Sequence, residues 1–151
     1  MLLKQIRWTM PVASALLVLS SLLTGCGDGD TAATEHALNM ADLVSMPMEV
    51  QTAPVAVQQA YQFAVANPDV LTQLPCYCGC GAMGHTSNYA CYVAGRNADG
   101  TPQFDPHALG CSICVDITQD AMRLLRQGKS ITEIRSAIDE TYARFGPSNM
   151  P

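Results

Sequence analysis

Basic residues are scarce in this chain: eight lysines and arginines stand against thirteen acidic residues. Two of the eight, Lys4 and Arg7, precede the first apolar run, and without them the formal charge is −7, six basic against thirteen acidic. A chain so poor in cations cannot neutralise a run of phosphates, which excludes nucleic acid as a partner. Also missing are a nucleophile elbow, a phosphate-binding glycine loop and a pair of carboxylates set for acid–base work, so no hydrolase or nucleotide-enzyme signature is present. The sequence therefore gives no ground for calling the protein an enzyme. Long hydrophobic runs are lacking as well. The single apolar stretch, "PVASALLVLSSLL" at residues 11–23, is near the lower limit for spanning a bilayer.

That stretch follows positive charge and ends in "LTGC" at Leu23 to Cys26, the order of parts in a secretory signal. The small residue followed by cysteine resembles the lipobox of bacterial lipoproteins, which implies lipidation of Cys26 and its exposure as the mature N-terminus. The expected organisation is a signal peptide over residues 1–25, a lipidated N-terminus and flexible tether over 26–50, a domain over 51–147 and a short tail over 148–151. This places the protein outside the cytoplasm, anchored to membrane lipid through Cys26. Within the tether, His36, Met40, Met46 and Met48 are soft-metal ligand types, but their spacing is irregular.

The domain is long enough for one modest core. Pro54 opens a helix whose apolar positions Val57, Tyr61, Ala64 and Val65 fall on one face, and "NP" at Asn67 and Pro68 closes it. A short turn, "DVLTQL", leads into the cysteine motif, and residues 81–110 carry many Gly, Asn, Asp and Pro residues without a clear period, which reads as loop. From Cys111 onward Cys114, Ile117, Ala121, Leu124 and Leu125 share a helical face, with Gly128 at the C-cap position. Ser130 and Glu133 form a capping box, and Ile131, Ile134, Ile138 and Phe145 carry the apolar stripe on to "GP" at Gly146 and Pro147. Two helices joined so tightly pack antiparallel. The fold class is mainly α: a small helical domain with a C-terminal antiparallel helix hairpin and an irregular Cys-rich loop.

Chemistry concentrates in the cysteines. Of the seven in the chain, those after Cys26 are Cys76, Cys78 and Cys80 in "PCYCGCG", then Cys91, Cys111 and Cys114. In an exported protein this even set invites three disulfides. Yet a bridge between cysteines two residues apart would close a strained ring. Alternation in extended chain puts Cys76 and Cys80 on one side, and a bend at Gly79 brings Cys78 to the same centre. Three close thiolates do not ionise together without a cation. His85 and His107 flank the set and offer imidazoles, with Asp105 as a carboxylate to orient His107. Cys111 and Cys114 form a C-x-x-C pair at a helix start, where amides and dipole stabilise thiolate. Val115 stands where a haem attachment site needs histidine, and C-x-C-x-C replaces the second C-x-x-C of a zinc ribbon.

The residues "LPCYCGCG", "GHTSN", Cys91, "CSIC" and "GKSITEIRSAIDETY" resemble the PCYCGC-motif lipoprotein family, which implies an exported, lipid-anchored protein and no particular chemistry. The stretch from "CSIC" through the hairpin is also similar to the helical domain of cytochrome c maturation thiol oxidoreductases, which implies Cys111 and Cys114 as an exchanging pair. The leading expectation is binding of a soft ion, copper(I) first and zinc second, by Cys76, Cys78, Cys80, Cys111 and Cys114, joined by Cys91, His85 or His107. A metal-donor or metal-acceptor protein is then the expected partner. The alternatives are a thiol-disulfide oxidoreductase and a disulfide-stapled interaction module.

Overall fold

The computed structural model describes residues 36–150. The signal segment, Cys26 and the start of the tether lie outside the described residues. Among those described, no helix is long and apolar enough to cross a membrane.

Helix content dominates, as the sequence periods predict. Two one-turn helices, α1 (Met48–Gln51) and α3 (Pro68–Leu71), flank α2 (Val55–Ala66), and two longer helices, α4 (Ser112–Arg126) and α5 (Ile131–Tyr142), form the C-terminal hairpin. Helix α2 packs on α4, and α4 on α5. The hairpin turn is fixed at both ends. Lys129 N–H donates to Leu124 C=O at 3.0 Å and Gly128 N–H to Leu125 C=O at 2.9 Å, with Gly128 at φ +74°, the hydrogen-bond pair that ends a helix on a left-handed residue. Ser130 then starts α5: its hydroxyl accepts from Glu133 N–H, while the Glu133 carboxylate accepts from Ser130 N–H at 2.9 Å.

The core faces are rotated slightly from the sequence reading. Helix α2 buries Ala60, Tyr61, Phe63 and Ala64, leaving Val57 and Val65 half-buried. The cause is a neighbour on its other flank: Ala41 N–H donates to Gln62 C=O at 3.1 Å, and the Gln62 amide donates back to Ala41 C=O at 2.7 Å. Residues from 36 onward are thus packed on the domain, with Met46 and Val50 in its core. On α4 the buried set includes Thr118 and Met122, while Leu124 and Leu125 are only half-buried.

The stretch expected as loop contains an antiparallel hairpin, β1 (Val93–Arg96) and β2 (Pro102–Phe104), with a bulge between Val93 and Gly95. Asn97 N–H donates to Thr101 C=O at 2.9 Å, and the Asp99 carboxylate accepts from Thr101 N–H at 3.0 Å, which closes the turn. Asp105 N–H donates to Tyr92 C=O at 2.9 Å, so the hairpin delivers Asp105 and His107 to one place behind the cysteines.

Candidate metal centre

Three stretches of chain bring the cysteines together, and each is held by local chemistry. The first is the motif itself. Leu74 and Cys76 are buried, and Gly79 takes φ +82°, turning the chain so that Cys80 starts a 3-10 turn over Cys80–Met83. A Cβ at Gly79 would meet nothing within 4 Å, so the demand there is conformational alone. Gly79→Ala is expected to cost about 1–2 kcal/mol in chemical denaturation, and Gly79→Asn less, because asparagine tolerates that region. Equal losses for both would show that the position is not governed by backbone conformation.

The motif is clasped from an unexpected side. Cys76 N–H donates to Asn149 Oδ1 at 2.7 Å, Asn149 N–H donates to Cys76 C=O at 3.1 Å, and Asn149 Nδ2 lies 3.6 Å from Cys80 Sγ. The segment expected as a tail after residue 147 is therefore part of the site's wall. Its approach depends on Gly146, where a Cβ would fall 2.9 Å from the Tyr77 carbonyl oxygen.

The second stretch is the start of α4. Cys111 is its N-cap residue and Cys114 lies within the first turn. The Cys114 carbonyl accepts from the Tyr92 hydroxyl at 2.8 Å and the Asn88 side-chain amide at 3.3 Å. Thr118 Oγ1 sits 2.7 Å from both Tyr92 Oη and Asn88 Oδ1. This buried polar network, satisfied within itself, fixes where the Cys114 sulfur points. The third stretch, residues 85–91, supplies His85 and Cys91, and the β-hairpin exit supplies His107.

None of the six cysteines is bridged. The expectation of a disulfide-stapled module is corrected accordingly: the sulfurs meet as neighbours, well beyond the ~2.05 Å of a disulfide bond. Cys76 Sγ lies 3.3 Å from Cys114 Sγ and 3.4 Å from Cys78 Sγ. Cys114 Sγ is also 3.3 Å from Cys111 Sγ and 3.5 Å from Cys78 Sγ, and Cys80 Sγ is 3.7 Å from Cys91 Sγ. His107 Nε2 stands 3.4 Å from Cys78 Sγ. All eight expected residues thus fall in one continuous cluster.

Asp105 holds a different histidine from the one expected. Its Oδ2 lies 3.3 Å from His85 Nε2, while its Oδ1 accepts from the backbone N–H of His107 at 2.8 Å. In this turn the carboxylate is engaged by the His107 backbone, and the fold supplies the ring of His85 to its other oxygen. The Tyr61 hydroxyl donates to the Asp105 backbone carbonyl at 2.7 Å, tying this stretch of chain to α2. His85 and His107 meet edge to face, 5.1 Å between ring centres.

The sulfurs differ in acidity. Hydrogen bonds from Cys114 and Cys91 hold the buried Cys76 thiol far below its ordinary value, against the opposing effect of burial. The Cys114 thiol is pushed up by its hydrogen bonds to Cys76 and Cys91 and by burial, and burial pushes up Cys78 and Cys80. One thiolate shared among neutral thiols is what a low-dielectric cluster without a cation supports.

Four sets of ligand atoms lie within 4.8 Å of one another, set by set: Cys78, His107, Cys111 and Cys114; Cys80, His85, Cys91 and His107; Cys76, Cys78 and Cys80; and Cys76, Cys91 and Cys114. The donor set fits a thiophilic ion, and a cation is what would let several of these thiols ionise at once. Of the upstream methionines, Met46 is a core residue, while Met40 and Met48 are exposed.

Comparison with known proteins adds a family and no chemistry. A family model described as a protein of unknown function with PCYCGC motif matches residues 15–149, and the chain belongs to that family. No curated protein and no solved structure matches. The likeness of the C-terminal hairpin to cytochrome c maturation oxidoreductases is not supported by these comparisons. The capped helix hairpin accounts for it.

Proposed function

We propose that this PCYCGC-motif protein binds a thiophilic metal ion, copper(I) before zinc, outside the cytoplasm and anchored to membrane lipid through Cys26. The observation that carries the reading is the convergence of six unbridged cysteines and two histidines into ligand sets no wider than 4.8 Å. Soft thiolates select copper(I) and zinc over hard cations, and an ion bound here would supply the positive charge that lets the thiols ionise. The anchoring rests on the signal-like N-terminus and on the cysteine that ends it. The role fitting such a site is storage of the ion, its transfer to or from a partner protein, or stabilisation of the domain.

The test is elemental analysis of the full chain, purified in detergent without chelator, together with thiol counts before and after denaturation. The expected result is stoichiometric copper or zinc, with thiols that react only once the metal is stripped. Because each ligand thiol must give up its proton, apparent affinity is expected to rise with pH. A chain that binds neither ion at any pH overturns the proposal.

The second reading, thiol-disulfide exchange, rests on the half-exposed Cys111 with its sulfur 3.3 Å from Cys114 Sγ. Against it, Cys76 and Cys78 also approach Cys114, at 3.3 and 3.5 Å, and the thiol whose acidity its neighbours raise is buried Cys76, outside the C-x-x-C pair. Exchange predicts a metal-free protein in which a Cys111–Cys114 disulfide forms and is reduced reversibly.

A further inference from the structure

The eight donors exceed what one ion can use. A tetrahedral site closes with four ligands, which would leave four sulfur and nitrogen donors of this cluster idle, most of them buried. The geometry divides them into two groups. One is Cys78, His107, Cys111 and Cys114, with His107 Nε2 against Cys78 Sγ at 3.4 Å. The other is Cys80, His85 and Cys91, with the Cys80 and Cys91 sulfurs 3.7 Å apart. His107 lies within range of both groups, and its Nε2 contact assigns it to the first.

The second group carries its own sign of a ligand. His85 is only 9 % exposed, and its Nδ1 is buried without a hydrogen-bond partner. Its Nε2 is taken by Asp105. A carboxylate on one ring nitrogen, the other nitrogen without a partner, and an imidazole grouped with two cysteine sulfurs make the arrangement by which an oriented histidine serves a metal. A buried nitrogen with no partner at all is otherwise costly to keep.

Cys76 touches both groups. It forms one compact set with Cys78 and Cys80 and another with Cys91 and Cys114, taking one sulfur from each group in both sets. It is completely buried between them. The first group already has its four donors, so Cys76, within 4.8 Å of both Cys80 and Cys91, is placed as the fourth donor of the second.

We propose that the cluster is a two-ion centre, one ion held by Cys78, His107, Cys111 and Cys114 and the other by Cys80, His85, Cys91 and Cys76. This deepens the metal-binding reading and rests on it. Its occupants are thiophilic ions of tetrahedral habit.

The test uses cadmium as a probe, because that ion has no redox chemistry and accepts four-fold thiolate and imidazole coordination. The full chain in detergent, reduced and loaded with excess cadmium, is desalted and weighed by native mass spectrometry. Two cadmium ions per wild-type chain are expected, falling to one in His85→Ala. Cys111→Ser, altered at a half-exposed position, is expected to keep the ion bound through Cys80, His85, Cys91 and Cys76. Cadmium-113 resonance supplies the second measurement, with two signals expected in wild type and one in His85→Ala. One ion per wild-type chain overturns the two-ion centre and leaves the metal-binding reading standing. No ion overturns both. Two ions retained in His85→Ala overturn the assignment of the second group.

Discussion

Cys78→Ser is expected to weaken binding at the Cys78, His107, Cys111 and Cys114 group by about 100-fold or more, read by competition with a chelator of known affinity. Loss even of an outer partner of a metal ligand typically costs ~10–100-fold, and Cys78 is closer than that. Its sulfur is within 3.5 Å of Cys76 Sγ, Cys114 Sγ and His107 Nε2. The substitution is near-isosteric and the side chain is half-exposed, so the fold should lose no more than about 1 kcal/mol. Disulfide formation between Cys111 and Cys114, by contrast, does not pass through Cys78. Unchanged affinity, with folding intact, would remove Cys78 from the ligand set and return the question to thiol exchange.

Stripping the metal is expected to lower the melting temperature of the domain by about 15–30 °C. An ion that binds only the folded chain, present at a thousand times its dissociation constant, adds about 4 kcal/mol. In a domain near 100 residues each kcal/mol moves the midpoint by ~4–8 °C. The effect should be large here because the ligands come from Cys76 through Cys114, so an ion ties the motif, the β-hairpin exit and the start of α4 to one another. Differential scanning calorimetry of loaded and chelator-treated protein decides it. Coincident transitions in two samples of proven different metal content would show that whatever binds does not span these elements.

Local signals made part of this structure legible. The α4–α5 turn is written in Gly128, Ser130 and Glu133, whose hydrogen bonds close within a few residues, so the hairpin could be read directly. The clustering of the C-x-C-x-C sulfurs was legible in their close spacing, and Gly79 takes the left-handed conformation expected of a bend there. The β-hairpin escaped because strands of four and three residues are too short to show a period, although "ADGT" carries an Asp-Gly turn signal. The partner of Asp105 escaped for a different reason. Proximity in sequence suggested His107, whereas the pairing with His85 depends on how the hairpin folds back. Nothing local marks Asn149 as a clasp on Cys76, 73 residues away, nor Asn88, Tyr92 and Thr118 as the support of the Cys114 carbonyl. Those contacts exist only once the whole domain is assembled.

Burial is unequal across the cluster: Cys78 and Cys111 are half-exposed, whereas Cys76, Cys80 and Cys91 are closed off. In kinetic terms this separates how tightly an ion is held from how quickly it is surrendered. An incoming thiol or chelator can attack an ion ligated by Cys78 and Cys111 while the protein stays folded, replacing one sulfur at a time. An ion ligated by Cys80 and Cys91 offers no such foothold, and its departure waits on local opening of the loop that Asn149 clasps. The same cluster would thus hold an exchangeable ion at its rim and a retained one behind it, even where the two equilibrium affinities are alike.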